Sequence, residues 1–317
     1  MYTLAPPSEE MAPERRTLLV VGDGPGLASL TRDSLSGARP IGVLAGDRAA
    51  VPTGWAYLGP IDQLPHVLRT QSVAEVALCL DASERSQMGD VAALCMKAGI
   101  PTWLPLAVAA EPQAERHPAA RTAKRVLDVV GALTGMIVLS PVLLTVAIAI
   151  AATDGFPVMF RQPRAGLGGR PFSIMKFRTM GRDADGLRSA LRGSNEVSGG
   201  ASFKLQSDPR VTRLGAVLRK TSIDELPQLW NVLLGEMSLV GPRPHPYDDV
   251  AGYQPWQFRR LSVKPGLTGL WQVELRDDPD FDNWVRKDLE YIDGWSIWRD
   301  IALIFRTIPA VIRGTGR

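Results

Sequence analysis

Two adjacent carboxylates, Asp224 and Glu225, sit in the stretch Thr221-Ser-Ile-Asp-Glu-Leu-Pro-Gln-Leu-Trp-Asn231, and Ser238-Leu-Val-Gly-Pro-Arg-Pro244 follows shortly after. A carboxylate can attack phosphorus, form an acyl phosphate and split one transfer into two steps. Bringing an anionic oxygen up to a diphosphate demands charge neutralisation, which arginines and a hard divalent cation supply. Mg²⁺ keeps waters and shares ligands with its substrate, so Asp224 and Glu225 could serve it without a dedicated metal cage in the sequence. Pro242 and Pro244 restrict the backbone around Arg243 and present its guanidinium for a bidentate phosphate or nucleotide contact, or else simply form a surface turn. A plainer reading of the carboxylate pair is helix capping, because Ser222-x-x-Glu225 matches a capping box. That cap puts Pro227 at the fifth helical position, where its missing N–H loses a bond. A helix beginning at Asp224 seats Pro227 in the first turn, where proline is tolerated, and places the carboxylate at a terminus that favours anions.

The elements that must position this chemistry can be read on either side. Phe156 to Met180 reads as two short strands about a Gly168-Gly169 turn. Lys176 and Arg178 alternate with Met175 and Phe177, which places both cations on one face, either toward phosphate or toward solvent. Arg182 to Gly200 is polar and glycine-bearing and reads as a mobile loop. Asp208 to Lys220 reads as a basic helical stretch carrying Arg210, Arg213, Arg219 and Lys220 straight into the carboxylates. The candidate phosphate-binding set is therefore Lys176, Arg178, Arg210, Arg219 and Arg243.

Ahead of these lies an uncharged apolar run from Val129 to Ala152. At ~1.5 Å rise per residue it reaches roughly 36 Å as a helix, enough to cross a hydrocarbon core. Pro141 interrupts it: the ring crowds the carbonyl of Ile137 and a bend is expected, while Ser140 can bond the freed carbonyl. Either a kinked spanning helix or a helix-break-helix hairpin over 126–152 satisfies this. Lys124 and Arg125 precede the run and Arg161, Arg164 and Arg170 follow it, so both flanks carry the charge of a cytoplasmic side.

The remaining chain bounds the setting. With 317 residues and 45% hydrophobic content, two cored domains are expected. A net charge of +3 suits an anionic membrane face or phosphorylated substrates, and no nucleic-acid partner is expected. Cys79 and Cys95 make no disulfide framework or metal spacing, which points to a reducing cytosol. Residues 1–16 lack the apolar core of a signal peptide and read as a disordered tail. Residues 17–108 alternate strands (Thr17 to Gly22, Pro40 to Ala45, Val73 to Leu80, Ile100 to Leu104) with helices (Leu27 to Leu35, Ile61 to Thr70, Ser86 to Ala98). That order predicts a parallel α/β sheet of Rossmann type. Gly22 and Gly24 fit the first two glycines of a dinucleotide turn and Asp47 the ribose-binding acid, but Leu27 holds the third position and Pro25 lacks an amide. A tight turn without ligand, in a regulatory or architectural domain, is the plainer reading. Residues 109–120 are a linker by composition. At the other end, Ile297, Ile301, Ile304, Ile308 and Ile312 recur at helical steps, with Arg299, Arg306 and Arg313 on another face and Trp295 and Trp298 at the start. This fits an interfacial helix, or an ordinary amphipathic one.

Together these residues resemble the bacterial sugar transferase family, the monotopic polyprenyl-phosphate sugar-1-phosphate transferases. The matching pieces are Lys124-Arg-Val-Leu-Asp128, Ser140-Pro141, Lys176-Phe-Arg-Thr-Met180, Asp208 to Gly215, Leu218 to Leu233, Met237 to Pro244 and Lys264 to Gln272. The resemblance covers about residues 121–317. It implies an α/β protein in which a Rossmann-like parallel-sheet domain precedes a mainly α, membrane-associated transferase domain with a re-entrant helix-break-helix at Ser140-Pro141. It further implies that a UDP-sugar gives its phosphosugar to Asp224, with Glu225 as partner and Mg²⁺ required, releasing UMP. Undecaprenyl phosphate then takes the phosphosugar, which starts exopolysaccharide, O-antigen or capsule assembly at the cytoplasmic face of the inner membrane. Membrane lipid is thus a partner, and a homodimer is an assembly the family allows. Long members begin with spanning helices, and none is seen here, which leaves anchoring to the re-entrant segment and surface helices. A different class, a membrane-tethered sensor or scaffold for a nucleotide sugar or dinucleotide, has the intact Asp224-Glu225 pair against it.

Overall fold

In a computed structural model of the chain, the described residues are 17–22, 27, 39–79, 85–105, 118–181, 184, 208–276 and 278–312. The first half builds β1 (Thr17–Val21), β2 (Arg39–Leu44), β3 (Tyr57–Gly59), α1 (Leu64–Thr70), β4 (Glu75–Leu78), α2 (Arg85–Lys97) and β5 (Thr102–Trp103). The strands form one sheet in the order β3-β2-β1-β4-β5, every adjacent pair parallel. Runs such as Leu18-Leu-Val-Val21 are wholly buried, as a sheet covered on both faces requires. β3 was not visible in the sequence, because three residues ending in glycine show no apolar run. Asp47 caps a short 3₁₀ turn, accepting the Ala49 amide at 2.8 Å. Of the helix expected after Gly22, only helical Leu27 lies among the described residues, and the expected loop at 182–200 falls outside them except for Ala184.

The second half opens with α3 (Pro118–Thr153), which includes the last residues of the compositional linker. Then come the antiparallel hairpin β6 (Met159–Ala165) and β7 (Pro171–Phe177), α4 (Arg213–Lys220) and α5 (Gln228–Leu234). β8 (Ser238–Val240), α6 (Tyr247–Val250), β9 (Gly266–Thr268), α7 (Leu270–Glu274), α8 (Phe281–Asp293) and α9 (Ile297–Ile312) complete it. The hairpin turns where the sequence places it, with Gly168 and Gly169 at φ 63° and 71°, a region only glycine enters cheaply.

The two halves share a core. Leu19, Met88, Cys95 and Leu104 of the first half join Tyr247, Val250, Phe281 and Trp284 of the second in one buried apolar cluster. At the seam the Gly89 amide donates to Asp248 at 3.1 Å, and the Tyr247 hydroxyl donates to the Gly169 carbonyl.

α3 is the one helix among the described residues long and apolar enough to cross a membrane, with a mean hydropathy of 2.4 over its most apolar window and 11% of that window buried. It runs unbroken through Pro141, so the helix-break-helix expected at Ser140-Pro141 is not formed: the proline sits inside one continuous helix. The proline removes one donor, and the Ser140 hydroxyl donates to the Ile137 carbonyl at 2.8 Å in its place. Before the proline, Lys124 donates to the Val240 carbonyl at 3.1 Å, and Asp128 accepts from Ser238 Oγ at 2.8 Å and the Leu239 amide at 2.9 Å. Beyond it, Val146 and Ile150 pack against Phe177 and Leu218. Both ends of the apolar run therefore rest on one folded body, while Val130, Ile137, Val138, Leu144 and Ile148 face outward uncovered.

α9 is anchored inward by Asp300, which is fully buried and meets Lys124 at 2.6 Å, the Tyr291 hydroxyl at 2.7 Å and Trp295 Nε1 at 3.1 Å. Its isoleucines at 297, 301 and 304 are half-buried, and its large exposed apolar side chains among the described residues are Trp298 and Phe305. The expected isoleucine face thus leans on the body, because the buried ion pair fixes the helix's rotation.

Candidate active site

Asp224 and Glu225 lie in a 3₁₀ turn, Ile223–Glu225, between α4 and α5. The helix expected to start at Asp224 starts instead after Pro227, which serves as its N-cap residue. Two local features split the stretch. Proline cannot donate, and Ser222 stands at φ 56°, the left-handed region that costs a serine about 1–3 kcal/mol and clusters at functional sites. Its hydroxyl accepts from Arg276 at 3.1 Å and makes no capping bond. α5 is held through its C-terminal half: Arg125 of α3 donates to the Val232 and Leu233 carbonyls, each at 2.7 Å, and Asn231 accepts the Met175 amide at 3.0 Å while donating to the Ser173 carbonyl at 2.8 Å. Asn231 thereby fixes β7, and β7 carries Lys176.

The two carboxylates have opposite surroundings. Glu225 meets Lys176 at 2.7 Å and both terminal nitrogens of Arg243 at 3.0 and 2.5 Å. Burial alone would raise its carboxyl, but the Arg243 and Lys176 charges and their hydrogen bonds override that and hold it well below the ordinary range. Asp224 is buried, and among the described residues nothing donates a hydrogen bond to its carboxylate. Burial, then the neighbouring Glu225 charge, push it up to about 6 against the pull of Lys176, Arg219 and Arg243. Burial likewise draws the Lys176 ammonium down, opposed by Glu225. One carboxylate is thus a fixed anchor for two cations, and the other is a desolvated oxygen pair left available for reaction.

Of the cations singled out in the sequence, Lys176, Arg219 and Arg243 converge on this pair. Arg219 uses Nε on the Thr179 hydroxyl at 2.9 Å, and its charge acts on Asp224. Arg178 and Arg210 are engaged elsewhere. β7 ends at Phe177, so Arg178 does not continue the Lys176 face and donates to the Asp154 and Gly155 carbonyls at 2.7 and 2.6 Å. Arg210 forms a two-pronged pair with Asp208 at 2.8 and 2.6 Å. Three buried or half-buried groups beside the site were not singled out in the sequence: Asn231, Arg260 and Arg276. Asn231 closes the Thr221–Asn231 stretch, but nothing local marks its amide as a strand clamp.

No group of three metal-binding side chains occurs among the described residues. Both Glu225 oxygens are occupied by cations, which leaves the Asp224 carboxylate as the oxygen donor for a hard cation, a donor set that fits Mg²⁺ where a substrate's phosphates supply the rest.

A mainly helical body with an apolar, outward-facing long helix, carrying a carboxylate pair ringed by cations, fits a membrane-associated transferase. The profile of the family described as bacterial sugar transferase matches residues 119–314, and the chain belongs to that family. The galactosyl transferase CpsE of Streptococcus agalactiae is 48% identical over 195 residues, 61% of this chain and 43% of that relative, so the chain spans less than half of its length. The exopolysaccharide production protein ExoY of Rhizobium meliloti is 40% identical over 203 residues, 63% of this chain and 90% of that protein. A UDP-glucose:undecaprenyl-phosphate glucose-1-phosphate transferase of Caulobacter vibrioides is 45% identical over 199 residues, 60% of this chain and 69% of that relative.

Proposed function

We propose that this protein transfers a sugar-1-phosphate from a UDP-sugar to undecaprenyl phosphate through a covalent intermediate on Asp224, and so starts the assembly of a surface polysaccharide. The observation that carries this reading is the contrast within the pair: Glu225 is saturated by Lys176 and Arg243, while Asp224 is buried beside it with no donor among the described residues. In the first step an Asp224 oxygen attacks the phosphorus that bears the sugar. The bond to the bridging oxygen breaks and UMP leaves with that oxygen. In the second step an oxygen of the acceptor phosphate attacks the same phosphorus, the bond to Asp224 breaks, and the carboxylate is restored. Lys176, Arg219 and Arg243 supply the positive charge that lets two anions meet. Mg²⁺ would be held by Asp224 and the donor's phosphates and would neutralise charge developing there. The donor and acceptor classes are supported by the name of the Caulobacter relative, a UDP-glucose:undecaprenyl-phosphate glucose-1-phosphate transferase.

The same reading places the protein on the cytoplasmic face of the inner membrane with α3 entering and leaving by one side. Its support is the contact of α3 with a single body both before and after Pro141, since a helix that crossed the bilayer would put Lys124 and Ile150 on opposite faces. The parallel sheet of the first half has the strand order expected of a Rossmann-like domain.

The test is UMP release by the detergent-solubilised protein with undecaprenyl phosphate, Mg²⁺ and a panel of UDP-sugars. Release with one sugar, dependent on the lipid and lost in Asp224→Asn, supports the reading. Release that persists in Asp224→Asn removes the covalent intermediate.

A further inference from the structure

Directly behind Arg243 lies a buried charge that the chemistry above does not use. Arg260, on the 3₁₀ segment Pro255–Ser262, is 1% exposed and is the largest fully buried side chain among the described residues. Its guanidinium pairs with Asp288 of α8 at 2.5 Å and donates to the Tyr253 hydroxyl at 2.9 Å. It stands 3.3 and 3.4 Å from the ring nitrogens of His245 and lies over the rings of Tyr253 and Phe281, 5.7 and 5.8 Å from their centroids. The same Nη2 that meets Asp288 also donates to the main-chain carbonyl of Arg243 at 3.2 Å.

A buried ion pair is an expensive way to fill a core, since apolar residues of equal volume often leave a protein as stable or more so. What an apolar filler cannot do is hold a carbonyl. Pro242 and Pro244 have no N–H, so the loop around Arg243 has few donors of its own and is fixed through its acceptors. The Gly266 amide takes the Pro242 carbonyl at 2.8 Å, Arg260 takes that of Arg243, Arg164 takes that of Pro244 at 3.1 Å, and the Ala165 amide takes that of His245 at 3.1 Å. Four consecutive carbonyls are pinned, two of them by guanidinium groups. The Arg243 side chain that leaves this loop ends on Glu225.

We propose that Arg260, held by Asp288, is a positioning residue for Arg243: its bond to the Arg243 carbonyl sets where that guanidinium stands, and hence the cation clamp beside Asp224. The inference rests on the phosphosugar-transfer reading for its kinetic consequence, though not for its structural one. Small displacements of a positioned charge are costly, because misplacement by about 1 Å can lower a rate on the order of a hundredfold.

The test uses the full chain and two variants. Arg260→Met combined with Asp288→Leu replaces the pair by apolar volume, and Arg260→Lys keeps the charge without the fork that reaches two acceptors. Three readouts are taken: the melting temperature, kcat and KM for the nucleotide sugar, and hydrogen exchange in the peptide covering 238–246. The expected result is a double variant that melts at or above the wild-type temperature, loses at least about tenfold in kcat/KM and exchanges faster in that peptide, with Arg260→Lys failing to rescue. A folded double variant with wild-type kinetics and wild-type exchange overturns the proposal. If the wild type itself shows no transfer, the functional reading has failed, and the exchange data still decide whether Arg260 holds the loop. If the double variant does not fold, Arg260→Lys carries the decision by the same three readouts.

Discussion

Arg243 grips Glu225 with both terminal nitrogens, at 3.0 and 2.5 Å, and by doing so makes Asp224 the unclaimed member of the pair. Two carboxylates one residue apart would otherwise be equivalent in the sequence. Their division of labour follows from which one the cations can reach.

Asp224 should be the group whose ionisation limits activity at low pH. Its carboxyl is raised from 3.8 to about 6 by burial and then by Glu225. As the proposed nucleophile Asp224 has to be ionised, so kcat/KM is expected to fall about tenfold per pH unit below that value. The sign for stability is the reverse of a paired carboxylate. Between 3.8 and about 6 the folded state binds the extra proton, so stability falls as pH rises through that window. Asp224→Asn should therefore abolish transfer and gain roughly 1–3 kcal/mol at neutral pH, and thermal melts of both proteins across pH will check it.

Glu225→Gln should act in the opposite sense. Removing the charge strands Lys176 and Arg243 in a mostly buried place, which costs roughly 3 kcal/mol. The contribution of the ionised Glu225 is present above the ordinary range of a glutamate and is lost only as pH falls through its depressed folded value. Denaturant unfolding at neutral pH should show the loss together with a drop in kcat; wild-type stability in Glu225→Gln would mean that the clamp is not formed in solution.

The one-sided placement of α3 can be read by labelling. Cysteines introduced at Arg121 and Phe156 should react with an impermeant maleimide from the same side of sealed, oriented vesicles, since the native Cys79 and Cys95 are buried. Labelling from opposite sides would show a crossing helix. Ser140→Ala, which removes the bond to the Ile137 carbonyl, should cost about 1 kcal/mol without changing the labelling pattern.

The two halves should unfold together. Met88→Ala cuts a fully buried side chain from the cluster that also holds Tyr247, Phe281 and Trp284, and is expected to cost roughly 2–4 kcal/mol. Calorimetry should show one transition, shifted down as a whole, with the fluorescence of the stacked Trp271 and Trp284 reporting the same midpoint. Two separate transitions would mean that the sheet half stands alone.

Much of this was legible in the residues. The parallel sheet of the first half with β1, β2, β4 and β5, the Gly168-Gly169 turn and the match of Ser140 to the carbonyl freed by Pro141 all follow from local chemistry: period, φ preference and a missing donor. The carboxylates and the Pro-Arg-Pro segment could be named as a site for the same reason, since residue type and spacing are local facts. The partners of each charge are not local facts. Arg178 and Lys176 look alike on one strand, yet the chain ends its strand between them, and one cation meets Glu225 while the other holds two carbonyls. Lys124 finds Asp300, and Asp128 finds Ser238 and Leu239, each across more than a hundred residues, and Arg260 reaches the Arg243 carbonyl only because α8 and the segment Pro255–Ser262 pack behind it. The shared core of the two halves was likewise invisible, because a linker composition says nothing about what packs after it. Sequence by itself determined which groups could react and which turns could form. Only the tertiary structure decided which charge neutralises which, because that choice depends on distance and burial, and both are set by contacts between segments far apart in the chain.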